Sequence, residues 1–222
     1  MRTLVFRWKG PMAHFRRVYT TTSASTYSFP PRTSILGLVG AVLGIESRPG
    51  ARHLEVLKDL NVSVIVENRV DKTRIPVNFH STKDSGKRLQ IPLEVIRNPS
   101  YTVFVGKFQF FDELKRYLMN RESVFTPYLG LSEFIATLEY IGEYDTARSD
   151  LPCEVHSVVP SSRADIVPKK GVLYLKERAT RSMDALRNYT EHETYILTQD
   201  GSPIEIEEGE VYQVGDWRII WM

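Results

Sequence analysis

Residues 14 to 45 read HFRRVYTTTSASTYSFPPRTSILGLVGAVLGI, and this stretch governs the reading of the rest of the chain. Its first two-thirds is irregular and crowded with short donors: Thr20, Thr21, Thr22, Ser23, Ser25, Thr26 and Ser28. Arg16, Arg17 and Arg32 add fixed cationic forks, and Phe15, Tyr19, Tyr27 and Phe29 add flat faces. The last third is apolar and punctuated by Gly37, Gly40 and Gly44. Pro30-Pro31 ends the irregular part, and a proline suits the first turn of a helix because its missing N–H would be unpaired there. A helix over 33–43 is therefore expected, with Thr33 and Ser34 in its first turn. The three glycines share one of its faces. Each costs roughly 1 kcal/mol in a helix interior, so the stripe implies strands packed close against it. Donors, cations and rings at the mouth of a helix suit a nucleic-acid backbone with splayed bases.

The elements outward from this helix follow from periodicity. Residues 3–8 (TLVFRW) read as a first strand and Lys9-Gly10-Pro11 breaks it. Residues 61–67 (NVSVIVE) read as a second strand and 101–108 (YTVFVGKF) as a third. Between these lie residues 68–100, too long for a plain connection and carrying Arg69, Lys72, Arg74, Lys83, Lys87, Arg88 and Arg97. Two short strands, 74–79 and 89–93, would flank a charged tip at 81–88. Residues 112–121 (DELKRYLMNR) have helical spacing, and 134–141 read as a fourth strand. The order β-α-β, insertion, β-α-β is that of an α+β, ferredoxin-like or RRM-like unit over residues 1–148 with an inserted hairpin at about 68–100. Composition shifts near residues 148–152. Residues 149–222 then read as a small β-rich appendage, with strands near 171–175, 193–198, 211–214 and 218–221 and a turn at Gln199-Asp-Gly-Ser-Pro.

A chain of 222 residues with 42% hydrophobic and 25% charged residues is an ordinary globular protein. Its net charge of +2 hides an asymmetry. Residues 1–100 hold 16 Lys and Arg against 7 Asp and Glu, and residues 101–222 hold 13 against 20. The basic half attracts a polyanion. The longest stretch without a polar residue, 35–45, is too short to span a bilayer, and no secretory signal is visible at the N-terminus. The single cysteine, Cys153, fits a reducing cytoplasm. Neither a metal site nor a cofactor is expected, because phosphate-cradle, dinucleotide, zinc-protease and CxxC motifs are all absent and the five histidines are scattered. Metal-independent RNA cleavage stays open as an alternative; it needs a base and a cation, which His14, Tyr19, His80 and Lys83 could supply.

The run AHFRRVYTTTSASTYSFPPRTSILGLVGAVLG, residues 13–44, resembles the Cas-five subunits of type I CRISPR effector complexes (Cascade), members of the RAMP superfamily. That family carries a similar AxFR followed by TTTSxxTYxFPPRTxxxGLxGAxLG. A second similarity is FTPYLGLSEF, residues 125–134, and a third is RNPSYTVFVG, residues 97–106. Together they cover most of residues 1–142, while the C-terminal 75 residues match only in general character; the pattern looks most like the I-B branch. The resemblance implies a subunit, in antiviral defence, that binds the 5′ handle of the CRISPR RNA and caps one end of the backbone filament. It implies a basic thumb hairpin, here at 68–100, wedged against the RNA. It also implies Cas-seven-type backbone and Cas-eight-type large subunits as partners, with target DNA met only indirectly and no membrane.

On this reading Arg16, Arg17 and Arg32 contact handle phosphates. Thr20, Thr21, Thr22, Ser23, Thr33 and Ser34 are neutral donors. Tyr19 or Tyr27 stacks on a base, and Lys72, Arg74, Lys83, Lys87 and Arg88 make the thumb basic. The I-C branch also cuts repeat RNA, using a tyrosine and an adjacent Lys-His pair; this sequence has no Lys-His dipeptide, so no catalytic residue is assigned. The alternative is a metal-independent endoribonuclease that processes CRISPR repeat RNA.

Overall fold

The computed structural model describes residues 1–19, 24–47, 50–80 and 88–222; for 79, 80, 88 and 89 only the backbone is described. The fold is mostly β. Its centre is a six-stranded sheet in the order β15-β14-β7-β1-β6-β3. Those strands are β1 (Arg2–Lys9), β3 (Val62–Val66), β6 (Ser100–Gly106), β7 (Thr137–Arg148), β14 (Tyr212–Val214) and β15 (Trp217–Ile219). All its pairings are antiparallel, with Val5 opposite Phe104 on one side and Gly142 on the other.

Alternation along β1 assigns its two faces. Leu4, Phe6 and Trp8 point to the main core with Val62, Val64, Val66, Tyr101, Val103 and Val105. Val5 points the other way, into a smaller core with Ile65, Phe104, Val214, Ile219 and Trp221. This period of two is why each strand is readable as a strand.

Two helices cover the main-core face. Helix α1 (Arg32–Leu43) buries Ile35, Leu36, Leu38, Val39 and Val42, and α3 (Phe111–Asn120) buries Phe111, Leu114 and Leu118. A short α2 (Arg52–Val56), for which the sequence carries no clear signal, follows α1. The glycines of α1 do not serve strand packing, contrary to expectation. A Cβ on Gly40 would lie 3.0 Å from His53 of α2, a Cβ on Gly37 would meet nothing within 4 Å, and Gly44 is the left-handed C-cap. A capping glycine adopts φ 73° at little steric cost.

The insertion between β3 and β6 is a long antiparallel ribbon, β4 (Lys72–His80) and β5 (Arg88–Arg97), with Lys72 opposite Ile96 and His80 opposite Arg88. Its root is held by the short β2 (Met12–Ala13). Of the charged tip expected at 81–88, residues 81–87 lie outside the described residues.

The boundary expected at 148/149 falls at the end of β7. Beyond it two further three-stranded sheets form. One comprises β8 (Cys153–Val155), β10 (Ala164–Val167) and β13 (Ile204–Gly209); the other comprises β9 (Val159–Pro160), β11 (Tyr174–Met183) and β12 (Tyr189–Thr198). They enclose a small core of Val155, Val159, Ala164, Ile204, Ile206, Val211 and Ile220. This part is nonetheless stitched into the body. β14 pairs with β7, the Met222 N–H donates to the Val62 carbonyl (2.9 Å), and Ala179, Tyr195 and Leu197 enter the main core. Spatial proximity of the two ends is not encoded in local periodicity, so the appendage reading misses it. No described helix is long and apolar enough to cross a membrane.

On the Val5 face, Glu67 accepts from the Arg7 Nε (2.9 and 3.0 Å), the Ser100 hydroxyl and the Thr102 hydroxyl. Burial alone would push its carboxyl up, but these donors and the guanidinium charge outweigh burial and hold it below its ordinary value.

Two expectations follow. Trp221→Ala should lower stability by about 3–5 kcal/mol in urea unfolding monitored over the whole chain, because a buried indole joins the C-terminus to the sheet. Below pH 4.5 the unfolded chain protonates Glu67 while the folded chain resists. Stability should therefore fall with falling pH through that range, and Glu67→Gln should flatten the fall in acid titration.

Candidate nucleic-acid interface

The described residues of the irregular segment before α1, 14–19 and 24–31, form a strap anchored on both sides. Arg17 N–H donates to the Ser25 carbonyl (2.9 Å) and Tyr27 N–H to the Phe15 carbonyl (2.8 Å), doubling the segment back on itself. Its outer side is fixed to β5: Thr26 N–H donates to a Glu94 carboxylate oxygen (2.9 Å), and Glu94 N–H donates to the Ala24 carbonyl (3.0 Å). Its inner side is fixed to β11 by Glu177. That carboxylate accepts from the Ser28 N–H (2.8 Å), the Ser28 hydroxyl (2.7 Å), the Arg17 guanidinium and the Lys72 ammonium (3.5 Å). Glu177 is 7% exposed, so the desolvation of its charge is offset by four donors, two of them cationic. Burial pulls the Lys72 ammonium below its ordinary range, and Glu177 opposes that pull.

Two openings flank this strap. A polar cleft of about 840 Å³ lies at the root of the ribbon. Arg17, Arg69, Lys72 and Arg97 line it against the carboxylates of Asp71 and Glu177. Arg97 is paired with Asp71, whereas Arg69 is exposed. A groove of about 690 Å³ runs beside α1, between its Thr33, Ser34, Gly37 and Ala41 face, His53 of α2, and the segment 125–130. Gly130 holds that segment against the strap. Its φ is +89°, and a Cβ there would fall 2.0 Å from the His14 carbonyl oxygen, so no other residue fits.

A family model described as CRISPR-associated protein (Cas_Cas5) matches residues 3–192. The chain belongs to the Cas5 family. Among solved structures it is similar to a CRISPR protein from Archaeoglobus fulgidus, at 14% identity and TM-score 0.61, covering 100% of this chain and 99% of that one. It is also similar to a chain of a CRISPR RNA-guided surveillance complex, at 16% identity and TM-score 0.54, covering 90% and 91% of the two chains. A chain of a type III-B Cmr-beta complex bound to cognate target RNA and AMPPnP aligns at 13% identity and TM-score 0.51, covering 93% and 86%. No curated protein sequence matches. The fold is thus shared with Cas5 and other CRISPR-associated proteins.

In this Cas5 chain the residues expected to meet RNA separate into groups. Arg16 and Tyr19 are exposed on the strap, and Arg74 is exposed on the ribbon. Thr33 and Ser34 line the α1 groove. Arg17 and Lys72 line the polar cleft while bound to Glu177. Thr20, Thr21, Thr22, Ser23, Lys83 and Lys87 lie outside the described residues, as does the side chain of Arg88.

Two expectations are corrected. Arg32 is 6% exposed, and its guanidinium donates to the carbonyls of Lys58 (2.6 Å), Leu60 (2.9 Å) and Arg181 (3.4 Å). It closes the chain end after α2 and does not face a phosphate. Tyr27 is 2% exposed, packed on Phe29 with the Arg17 guanidinium 5.6 Å from its ring centre. Burial pushes its phenol up to about 12, and no face is open for a base.

Of the groups that could catalyse RNA cleavage, His14 is 2% exposed, and its Nδ1 lies 2.7 Å from the Glu94 carbonyl. Burial, helped by the Arg16 charge, lowers its basicity. Sequence reasoning misses Glu177, which lies 149 residues from Ser28 in the acidic C-terminal part that reads as plain surface. It also misses His53 and the groove. The FTPYLG run is visible, but nothing local places it against α1.

Glu177→Ala should destabilise the protein by about 3–5 kcal/mol in denaturant unfolding, since it leaves Arg17 and Lys72 half-buried without their counter-charge. An unchanged midpoint would mean the strap is held by Glu94 alone.

Proposed function

We propose that this Cas5 protein is a non-catalytic RNA-binding subunit of a type I CRISPR effector complex, holding the 5′ handle of the CRISPR RNA and capping the backbone filament. The polar cleft carries the proposal. Four cations line it against two carboxylates, so its net charge is positive after the internal pairs are counted. Arg69 stands at its edge and Arg74 continues the positive character along the ribbon. Exposed Arg16 and Tyr19 add a cation and an aromatic face on the adjoining strap. Such a surface favours a flexible polyanion through counterion release and stacking.

In this reading the strand order β7-β1-β6-β3 with α1 and α3 is a ferredoxin-like unit, and the β4–β5 ribbon is its thumb. The I-B branch remains the subtype proposed. The Cas-seven-type and Cas-eight-type subunits are the proposed protein partners, and target DNA is met only through the complex. A non-catalytic role is supported by His14, which is buried and held less basic than a free imidazole.

Arg69 and Arg74 give a cleaner test than Arg17, whose loss would also disturb Glu177. In EDTA, the protein should bind handle RNA and leave repeat RNA intact on a denaturing gel. The Arg69→Ala/Arg74→Ala variant should show a salt slope shallower by about 1.4, roughly 0.7 for each single-strand phosphate that is no longer neutralised. A discrete cut in EDTA would instead favour the endoribonuclease, and an unchanged slope would remove the cleft from the binding surface.

A further inference from the structure

The two carboxylates of the polar cleft differ in kind. The Glu177 side chain is 6% exposed and meets both donors of Ser28 as well as Arg17 and Lys72, so its bonds belong to the fold. The Asp71 side chain is 47% exposed, and it is paired at 2.5 Å with the Arg97 guanidinium, whose side chain is 55% exposed. Both residues stand on one rung at the root of the ribbon. The Arg97 N–H donates to the Asp71 carbonyl (2.9 Å), one step beyond the pairing of Lys72 with Ile96. The backbone on either side of that rung is held. Val70 N–H donates to the Gln199 carbonyl (2.8 Å), Asn98 N–H donates to the Pro11 carbonyl (2.8 Å), and the Lys72 ammonium is tied to Glu177 and to the Thr26 carbonyl. What can rearrange on this rung is therefore the pair of exposed side chains. An exposed ion pair holds weakly, because water screens it and two side chains are ordered to keep it. A phosphate is an acceptor for a guanidinium as good as a carboxylate.

We propose that Asp71 is a built-in competitor for the phosphates of a bound strand. It occupies Arg97 in the free protein and releases it when a phosphate enters the cleft. Glu177 cannot take this part, since giving up Arg17 and Lys72 would leave its buried charge uncompensated. The competition rests on the RNA-binding reading above and gives that site a threshold. Breaking the Asp71 pair costs the same for every anion. A single phosphate has only the contact with Arg97 to set against that cost, whereas a strand also meets Arg69 and Arg74. Isolated anions are therefore shed and a continuous strand is retained.

The test uses the full chain and handle RNA in EDTA over a series of salt concentrations. Asp71→Asn keeps the shape of the side chain and removes its charge. It should tighten RNA binding by about 2-fold to 5-fold, the equivalent of an exposed ion pair that no longer has to be broken. Its salt slope should be steeper by up to about 0.7, one more single-strand phosphate neutralised without exchange. In an Arg97→Ala background the same substitution should lose most of its effect, because the competitor has nothing left to occupy. Glu208→Gln, at an exposed position of β13, sets the size of a plain one-charge effect. Circular dichroism and melting check that the variants fold, and Asp71→Ser repeats the measurement if Asp71→Asn melts early. An Asp71→Asn effect that persists undiminished without Arg97, or that is no larger than that of Glu208→Gln, would overturn the competition while leaving the cleft as the binding surface. Weaker binding by a well-folded Asp71→Asn would overturn it too, by showing that Asp71 holds Arg97 in place for the strand. Failure of the native chain to bind handle RNA at all would end the parent reading as well.

Discussion

The Glu177 carboxylate ties together three parts of the chain that are far apart in sequence. It sits on β11, accepts both the N–H and the hydroxyl of Ser28, and neutralises Arg17 from the strap and Lys72 from the root of the ribbon. A buried carboxylate without partners would be untenable, and a buried cation equally so. Each therefore requires the other. The strap cannot leave β11 without stranding Glu177, and the ribbon cannot swing far without taking Lys72 from both Glu177 and the Thr26 carbonyl it also donates to (3.0 Å). The contact of Phe29 with Tyr195, 5.2 Å between ring centres and edge to face, seals the same junction from the apolar side. Because the mutual attraction of these charges operates at low local dielectric, it constrains geometry more than an exposed pair of the same residues could.

The same interaction changes the meaning of the charge asymmetry between the two halves of the chain. A basic first half and an acidic second half suggest a nucleic-acid face and an indifferent remainder. Instead, acidic residues of the second half reach into the first, and Glu177 alone holds two of its cations, Arg17 and Lys72. Glu191 holds Arg181 within its own hairpin in the same way (2.9 Å), and Glu143 takes both Arg2 and Lys115 (2.7 Å each). Cations that remain turned to solvent around the cleft, Arg69 and Arg74 foremost, are thus a small and spatially chosen subset of those counted in the sequence. Counting charges identifies the correct half but overstates how many of its residues are available.

What can be read in advance is whatever depends on local spacing. Strands β1, β3 and β6 and helices α1 and α3 are legible within a residue or two, because their alternation or helical spacing reports a face directly. The insertion is legible because no compact connection needs thirty-three residues. Arg32 and Tyr27 are misread for a physical reason. Each has an apolar body with a polar end, and sequence shows the polar end without showing which carbonyls or rings surround it. In Arg32 those are the carbonyls of Lys58, Leu60 and Arg181, and two of the three belong to a connection whose path no local signal fixes. The C-terminal strands are visible as strands, but their return to β7 is not, because strand pairing between distant segments leaves no periodic trace.

Helix α1 shows how a single residue can be misread. Its sequence is apolar nearly all round, which ordinarily means a helix buried on every side. Three of its sides are indeed covered, by the sheet, by α2 and by the chain leaving α3, whose Val124 and Phe125 N–H groups donate to the Val42 and Ala41 carbonyls. The fourth side, at Ser34, Gly37 and Ala41, is left open. Had strands closed over this face, Gly37 would be a packing glycine like Gly40, whose absent side chain makes room for His53. With nothing within 4 Å, close packing offers no return for its helix penalty. The small residue therefore leaves the groove beside α1 open and brings no other element closer to the helix.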